Sequence, residues 1–162
     1  MKKLLTLILL SSFTLISCKD DEKPDEEPSK ITIKTFDNAK VAFGEGLSQS
    51  AEGTFNFPAN LDDVKTIKMY IKDICLNKDC DEWDRYANLY AKDKTTGEWY
   101  ELGRFINPYW VGNEKLERGY EIDVTDFKSL LSGSTELKIY TETWNAKGRK
   151  YSVEFDFEKG TP

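Results

Sequence analysis

Apolar and polar side chains alternate along several short segments of this chain, which is the spacing of β-strands with one buried face. The clearest segment runs from 64 to 72, where Ile67, Met69 and Ile71 alternate with lysines and a tyrosine. Further segments lie at 31–36, 54–57, 84–92, 99–105, 121–124, 137–144 and 151–157. The pattern therefore predicts eight strands.

Turn-forming residues separate the predicted strands. Gly97 closes the loop 94–97, and residues 145–148 join the last two strands. Asp126 is expected to cap a single helical turn over 127–131. Many short strands with turn signals between them favour an all-β, antiparallel β-sandwich over residues 31–162.

The first thirty residues differ in composition from the rest. Residues 1–17 join a basic start to an apolar run that is too short to span a bilayer, which predicts a secretory signal peptide. The run ends in Leu15-Ile16-Ser17-Cys18, which resembles a bacterial lipobox whose cysteine is lipidated. Residues 18–30 are acidic, contain two prolines and lack aromatic rings, so they are expected to form a disordered tether.

These features predict an exported protein that is lipid-anchored to the bacterial outer membrane through Cys18. The membrane would then be a partner through the anchor alone. Lys19-Asp20-Asp21 directly after the cysteine resembles an export signal of outer-surface lipoproteins, which favours display at the cell surface.

Composition narrows the possible chemistry. The 162 residues carry a formal net charge of −6 and include no histidine. An acidic domain repels phosphate backbones, so no nucleic-acid partner is expected. Histidine-based nucleophile pairs and His-ligated zinc or copper are excluded, so catalysis would rest on carboxylates, Lys, Tyr or Cys, and we expect no metal and no cofactor. Aromatic residues make up 13% of the chain, which suits sugar ligands as well as core packing.

Two cysteines remain once Cys18 is assigned to lipidation. Cys75 and Cys80 are five positions apart, and in an oxidising compartment they can pair and hold a short loop in shape. Their spacing excludes a C-x-x-C redox site, and two cysteines without histidine do not supply a zinc ligand set.

The densest cluster of candidate functional residues begins at this loop. Asp84, Arg85 and Tyr86 follow Cys80 at the start of a predicted strand, which brings a carboxylate, a guanidinium and a ring together. A salt-linked strand end beside a structural disulfide would explain the same residues. A calcium loop drawn from the acids of 79–84 lacks the glycine and the distal glutamate of an EF-hand.

Two further groups combine aromatic rings with loops or acids. Within 137–144, period two places Tyr140, Glu142 and Trp144 on one face, and a carboxylate between two rings suits sugar binding better than a dry core. Tyr109 and Trp110 follow a proline and are expected in a loop, where they could also simply cap the sandwich.

Long segments of the sequence resemble the peptide-N-glycosidase F family. They are CDEWDRYANLYAKDKTTGEWYELGRFINPYWVG at 80–112, EIDVTDFKSLLSGSTELKIYTETW at 121–144, KGRKYSVEFDF at 147–157 and TFDNAKVAFGEGLSQSAEGTF at 35–55. The resemblance implies a jelly-roll fold, two eight-stranded rolls lying side by side with the active site between them. It also implies an amidase that cleaves the bond between asparagine and the first N-acetylglucosamine of N-glycans on glycoproteins or glycopeptides.

The resemblance further implies individual roles. Asp84 matches the principal catalytic acid, and Glu142 matches a supporting active-site acid. The residues that match glycan contacts are Arg85, Tyr109, Trp110 and Trp144, and Cys75 and Cys80 match the family's short-loop disulfide. With these residues, Asp84 would act as acid and base, while Glu142 would tune its pKa and orient water.

The family pattern continues beyond the position at which this sequence ends, Pro162. The C-terminal jelly roll, which carries a second essential glutamate, is therefore expected to be missing. The sequence predicts an N-terminal amidase domain that is incomplete or inactive alone, and whether the chain by itself is an enzyme is left open.

The same residues also bear on three functions other than the amidase. A surface lipoprotein that binds the chitobiose core without catalysis needs the same aromatic residues. A glycosidase would use Asp84 and Glu142 as its carboxylate pair and cut between sugars. A copper monooxygenase is excluded because the chain has no histidine and only two methionines.

Overall fold

The computed structural model describes residues 29–77 and 80–160. Residues 1–28, 78–79 and 161–162 lie outside this description, and with them the predicted signal peptide, Cys18 and most of the tether. In the two described ranges, no helix has the length and apolar character needed to cross a membrane.

Nine strands and one short helical turn form the regular structure of the described residues. The strands are β1 (Lys30–Lys34), β2 (Ala39–Val41), β3 (Ser50–Asn56), β4 (Val64–Cys75), β5 (Arg85–Lys92), β6 (Trp99–Asn107), β7 (Tyr120–Asp123), β8 (Ser134–Thr141) and β9 (Arg149–Lys159). A 3-10 turn lies at Thr125–Phe127. All pairings are antiparallel, so the all-β antiparallel fold is confirmed.

The strands form two sheets in which late and early strands are neighbours. The five-stranded sheet has the order β1-β9-β4-β7, with β2 also paired to β9, and the four-stranded sheet has the order β3-β8-β5-β6. In each sheet a late strand lies between two early ones, β9 in the first and β8 in the second. This crossover pattern between two facing sheets is that of a jelly-roll β-sandwich.

The core lies between the inner faces of the two sheets. Ile67, Met69 and Ile71 of β4 have no exposed surface, as the alternation predicts. Leu89 of β5 and Ile139 of β8 are equally buried on the opposite sheet. Each such side chain contributes about 1.5–3 kcal/mol by its burial, so the two layers together hold the sandwich closed.

Several strand bounds differ from the prediction, among them the start of β3 and the end of β8, and two further local features differ in kind. The three-residue strand β2 adds to the eight expected strands and pairs with β9. The helical turn is shorter than expected, and the capping role given to Asp126 is wrong. The preceding acid, Asp123, accepts hydrogen bonds from the backbone N–H (2.9 Å) and the hydroxyl (2.6 Å) of Thr125, so the chain turns before Asp126 is reached.

Candidate active site

The candidate residues gather at one end of the four-stranded sheet. At this end β5 begins, and because its neighbours are antiparallel, β6 and β8 end there. The register places Arg85 opposite Asn107 of β6, and Ala87 opposite Thr141 of β8. The residues just outside these strand ends therefore lie together: Asp84 before β5, Tyr109 and Trp110 after β6, and Glu142 and Trp144 after β8.

Asp84 lies exposed at the rim of this end. The hydrogen bond between the Tyr109 hydroxyl and the Asp84 carboxylate, together with the negative charge, raises the pKa of Tyr109 above its ordinary value. The two residues belong to different loops, so this contact joins the start of β5 to the segment after β6. The carboxylate remains open toward solvent, where a ligand can reach it.

Arg85 bridges two acids across the rim. Its Nε donates to Oδ2 of Asp81 at 2.8 Å, and its Nη1 lies 3.7 Å from Oε2 of Glu142. All three side chains are largely shielded from solvent, which strengthens their mutual attraction relative to a surface pair. Arg85 thus fixes the position of Glu142 relative to the start of β5.

Glu142 has a second fixed partner. The indole Nε1 of Trp144 donates a hydrogen bond to Oε1 of Glu142. The backbone N–H of Glu142 also donates to the carbonyl of Tyr86 at 3.1 Å, although β8 itself ends at Thr141, before the predicted end at 144. The Trp144 ring meets Phe43 edge to face at 5.4 Å between centroids, so both acid and ring are oriented.

Asp81 organises the site from beneath, a role that sequence reasoning did not assign. Its carboxylate accepts from Arg85 and from the backbone N–H of Trp83 (3.2 Å), and its carbonyl accepts from the backbone N–H of Trp110 (3.0 Å). Burial acts to raise the pKa of Asp81, but the hydrogen bonds from Arg85, Asn145 and Trp83 outweigh it and lower that pKa. Asp81 is therefore a charged anchor for Arg85 and for the loop after β6.

The loop 108–112, which carries Tyr109 and Trp110, is held from the interior by Arg149. The guanidinium donates to the carbonyls of Pro108 (2.7 Å, from Nη2) and Val111 (2.6 Å, from Nη1). Trp110 adopts a φ of 63°, a left-handed conformation that is costly for a large aromatic residue. The hydrogen bonds to the loop offset this cost and fix how the ring is presented.

Arg149 is itself part of a buried polar network between the two sheets. Its Nη1 donates to Oδ2 of Asp73 at 3.0 Å, and the same oxygen accepts from Asn107 Nδ2 at 2.8 Å. Tyr151 connects Asn107 (3.1 Å) to Thr141 (2.6 Å). Sequence reasoning missed this network. A detectable signal was present, because Asp73 is a polar residue at a position that the alternation of Ile67, Met69 and Ile71 predicts to be buried.

The short disulfide is present and lies directly behind the site. Cys75 at the end of β4 is bonded to Cys80, one residue before Asp81. The Cys75 sulfur lies 4.0 Å from the carbonyl oxygen of Trp110. The bond therefore ties the network around Asp73 to the rim of the site, and the predicted pairing is confirmed.

Large exposed rings lie at the same end of the sheet as the acids. Tyr109, Trp110 and Trp144 are each more than half exposed, as their predicted role in sugar contact requires. Trp83 is exposed to the same extent, and sequence reasoning passed over it, although a tryptophan beside a disulfide-bonded loop is a recognisable signal. Rings of this kind can stack on the flat faces of sugars.

The calcium reading of the acids at 79–84 gains no support in the described part of the chain. There, no group of three or more Cys, Asp or Glu side chains is arranged to hold a metal ion. The Asp81 carboxylate is paired with Arg85, and Asp79 lies outside the described residues.

The chain is similar in sequence and in fold to known proteins. Residues 90–157 match the family model described as "Peptide-N-glycosidase F, N terminal". Over 132 residues the chain is 76% identical to the peptide-N(4)-(N-acetyl-beta-D-glucosaminyl)asparagine amidase F of Elizabethkingia miricola. The matched part of the chain is a domain of the peptide-N-glycosidase F N-terminal type. The matched stretch is 82% of this chain but only 37% of that relative, so the chain spans little more than a third of its length.

Solved structures of peptide-N-glycosidase F superpose on the described domain. A recombinant peptide:N-glycanase F matches with a TM-score of 0.81 and 75% identity, covering 83% of this chain and 43% of the other. The glycosylasparaginase PNGase F from Flavobacterium meningosepticum matches with a TM-score of 0.80, 75% identity and the same coverage. PNGF-II, at 18% identity and a TM-score of 0.68, shares the fold, and the match covers 83% of this chain and 35% of that protein.

Proposed function

We propose that this domain supplies the catalytic carboxylates of an amidase that hydrolyses the bond between asparagine and the first sugar of N-glycans. The observation that carries the proposal is the presence of two acids at the same end of the four-stranded sheet. Asp84 is hydrogen-bonded to Tyr109, and Glu142 is ion-paired with Arg85 and hydrogen-bonded to Trp144. Its sequence context is that of a peptide-N-glycosidase F domain.

The reaction requires water to attack the amide carbonyl and the leaving nitrogen to gain a proton. Asp84 is open to solvent and would accept the proton from water, then return it to the departing glycosylamine. The products are then a peptide with aspartate at the former asparagine and the intact glycan as its glycosylamine, which loses ammonia to water in a later step. Glu142, fixed by Arg85, would orient the water or a sugar hydroxyl beside it.

The aromatic rings would recognise the sugars next to asparagine. Trp110 and Trp144 are both 57% exposed at the same end of the sheet as the acids, and the Tyr109 hydroxyl is hydrogen-bonded to Asp84. Stacking on a sugar ring buries apolar surface, while the carboxylates and Arg85 offer hydrogen bonds to its hydroxyls. The chemistry of the site therefore suits a neutral, hydroxyl-rich ligand bearing an amide.

A glycan-binding module without catalysis is the second candidate. It is favoured by the exposed rings of Tyr109, Trp110 and Trp144, which offer stacking surfaces to a sugar whether or not the acids are catalytic. In this case the domain would form one wall of a site and retain the glycopeptide without cleaving it. We propose that cleavage requires a second surface and that this domain alone binds substrate.

The test uses the purified chain and a chimera in which it is joined to the remainder of the Elizabethkingia miricola relative. Each is incubated with a glycopeptide that carries two N-acetylglucosamine units on asparagine, and the peptide is read by mass spectrometry. Release by the chimera with conversion of asparagine to aspartate supports the amidase. A peptide that keeps one sugar indicates a glycosidase, and retention by both proteins without conversion indicates a binding module.

We also infer that the protein is exported and anchored by a lipid on Cys18, which lies outside the described residues. The basic and apolar start of the sequence and its lipobox-like end support this proposal. Metabolic labelling with radioactive palmitate should mark the wild-type protein and not the Cys18→Ser variant. Protease treatment of intact cells would then test display on the outer surface, and equal labelling of both proteins would contradict the anchor.

A further inference from the structure

A stripe of aromatic rings crosses the outer face of the four-stranded sheet, away from the core. It consists of Tyr86 and Tyr90 of β5, Trp99 of β6 and Tyr140 of β8, and we call it the aromatic stripe. The inward neighbours Ala87, Leu89 and Ile139 are fully buried, which fixes the outward direction of the alternate positions. The rings of Tyr86 and Tyr140 lie 6.3 Å apart between centroids.

The stripe begins at the candidate active site. The carbonyl of Tyr86 accepts a hydrogen bond from the backbone N–H of Glu142 at 3.1 Å. The first residue of the stripe is therefore paired through its backbone with a candidate catalytic acid. From Tyr86 the stripe runs along β5 to Tyr90 and ends at Trp99, which pairs with Lys92. Residues four apart on a strand are separated by about 13 Å, so the stripe is longer than one sugar ring.

A buried acceptor without a partner lies in the middle of the stripe. Asn88 has no exposed surface, its Nδ2 donates to Glu101 at 2.7 Å, and its Oδ1 has no hydrogen bond. Its cross-strand neighbours are Tyr140 and Arg104. The Arg104 side chain is mostly exposed, and a ligand hydroxyl that reaches the Asn88 oxygen would satisfy this buried acceptor.

The charges on this face balance one another. Lys92 pairs with Glu136 at 3.1 Å and Arg104 with Glu101 at 2.9 Å, while Lys138 lies over the rings of Trp99 (4.2 Å) and Tyr90 (5.2 Å). Cross-strand from Lys138 is Glu52. A surface with matched charges attracts neither a phosphate chain nor a strongly charged protein. Rings framed by hydrogen-bonding groups are instead suited to neutral sugars.

We propose that the aromatic stripe binds the neutral sugars of the glycan that lie beyond the two attached to asparagine. This inference rests on the proposed function, because it extends the same substrate from the acids along the outer face of the sheet. The ligand hydroxyls would pair with Asn88 and the flanking ions. The pyranose faces would stack on the rings, displacing the Lys138 ammonium from Tyr90 and Trp99.

The test compares two glycopeptides with the same peptide, one carrying only two N-acetylglucosamine units and one carrying a complete neutral biantennary glycan. Binding to the purified full chain is followed by backbone amide NMR shifts, which locate the contact on the unaltered protein. We expect the longer glycan to bind about three- to tenfold more tightly, and to shift amides of β5, β6 and β8 that the short one leaves in place. Equal affinities, or new shifts elsewhere, overturn the proposal.

Variants separate the stripe from the acids. Trp99→Ala should remove the advantage of the longer glycopeptide and leave the affinity for the short one unchanged. Tyr100→Ala is the matched control, because this exposed tyrosine is the next residue on β6 and lies outside the stripe. Loss of the advantage in both variants, or in neither, argues against a stripe-specific contact.

The free biantennary glycan distinguishes failure of the stripe from failure of the proposed function. If the short glycopeptide is bound but neither the long one nor the free glycan shifts stripe amides, only the stripe proposal fails. If the free glycan shifts the stripe and neither glycopeptide reaches the acids, the amidase proposal fails instead. Shifts of the same amides that depend only on protein concentration would reassign the face to contact between two copies of the chain.

Discussion

Two carboxylate–guanidinium pairs lie within one small domain and serve different ends. Asp73 and Arg149 are almost fully buried between the sheets. Asp73 accepts a hydrogen bond from Asn107, and Arg149 donates to carbonyls of the loop 108–112. In the other pair, Arg85 lies at the rim, binds the buried Asp81 beneath it and shares its guanidinium with Glu142; we call Asp81 and Arg85 the rim pair. The interior pair sets the shape of the site, whereas the rim pair faces the place where chemistry is proposed.

The difference lies in what surrounds each pair. Burial raises the pKa of Asp73, although the charge of Arg149 and the hydrogen bond from Asn107 act to lower that pKa. Loss of Arg149 would leave a buried charge without compensation and reduce stability. Asp81 has its pKa lowered despite burial, because several donors converge on it. A disturbance of the interior should therefore appear in stability, and a disturbance of the rim in binding or turnover.

The largest expected effect is on turnover. Asp84→Asn should reduce glycan release by the chimera about one hundred- to ten-thousand-fold, because the amide cannot carry a proton between water and the leaving nitrogen. Stability should change by less than about 0.5 kcal/mol, since Asp84 is exposed. Single-turnover release and urea unfolding are the two measurements.

Asp126→Asn is the matched control for this variant. Asp126 is an exposed acid that precedes β8, whereas the candidate site follows that strand. It should leave release unchanged. Normal turnover by Asp84→Asn would remove Asp84 from the catalytic role and leave Glu142 as the candidate acid.

The next effect tests the interior pair. Arg149→Met should destabilise the domain by about 3–5 kcal/mol, because Asp73 is left as an uncompensated buried charge. The double variant Asp73→Leu with Arg149→Met should recover most of this loss in urea unfolding. Glycopeptide affinity should stay reduced in the double variant, since Pro108 and Val111 lose their donor. Recovery of both properties would show that the pair has no part in shaping the loop.

Local sequence patterns reveal one of these regions more readily than the other. Alternation places Ile67, Met69 and Ile71 inside, and residue chemistry singles out Asp84 and Glu142. It does not reveal which acid Arg85 binds, nor that Arg149 reaches Asp73 from 76 positions away, because such pairings depend on strand order. A polar residue in the apolar phase of a strand, as Asp73 is, marks the position but not the partner.

The ion pair of Arg118 and Asp156, on the outer face of the five-stranded sheet, sharpens the comparison. Asp156 accepts two hydrogen bonds from Arg118 (2.6 and 2.9 Å) and one each from Thr32 (2.6 Å) and Lys30 (3.1 Å). The Arg118 hydrogen bonds hold the pKa of Asp156 well below its ordinary value despite burial. This pair is structural but remote from the proposed chemistry.

Asp156→Asn should cost about 2–3 kcal/mol of unfolding free energy at pH 7 and leave glycopeptide affinity unchanged. A lowered pKa gives stability that is present above the unfolded value of about 3.9 and is lost as the pH falls toward the folded value. The gap between wild type and variant in urea unfolding should therefore narrow steadily below about pH 4. A gap that is independent of pH would show that the charge of Asp156 contributes nothing.

The smallest expected effect concerns the disulfide that joins the interior pair to the rim pair. Replacing Cys75 and Cys80 together by serine should cost about 2 kcal/mol, since the bond closes only a short loop. Cys75 lies two residues after Asp73 and Cys80 precedes Asp81, so the loss should reach the rim through Asp81 and Trp110 while the buried pair keeps its hydrogen bonds. Amide shifts confined to 80–86 and 108–112, with weaker glycopeptide binding, would confirm this division. Shifts that spread through β4 and β9 instead would show that the two regions respond as one unit. The interior pair could then no longer be assigned to the shape of the site and the rim pair to its chemistry.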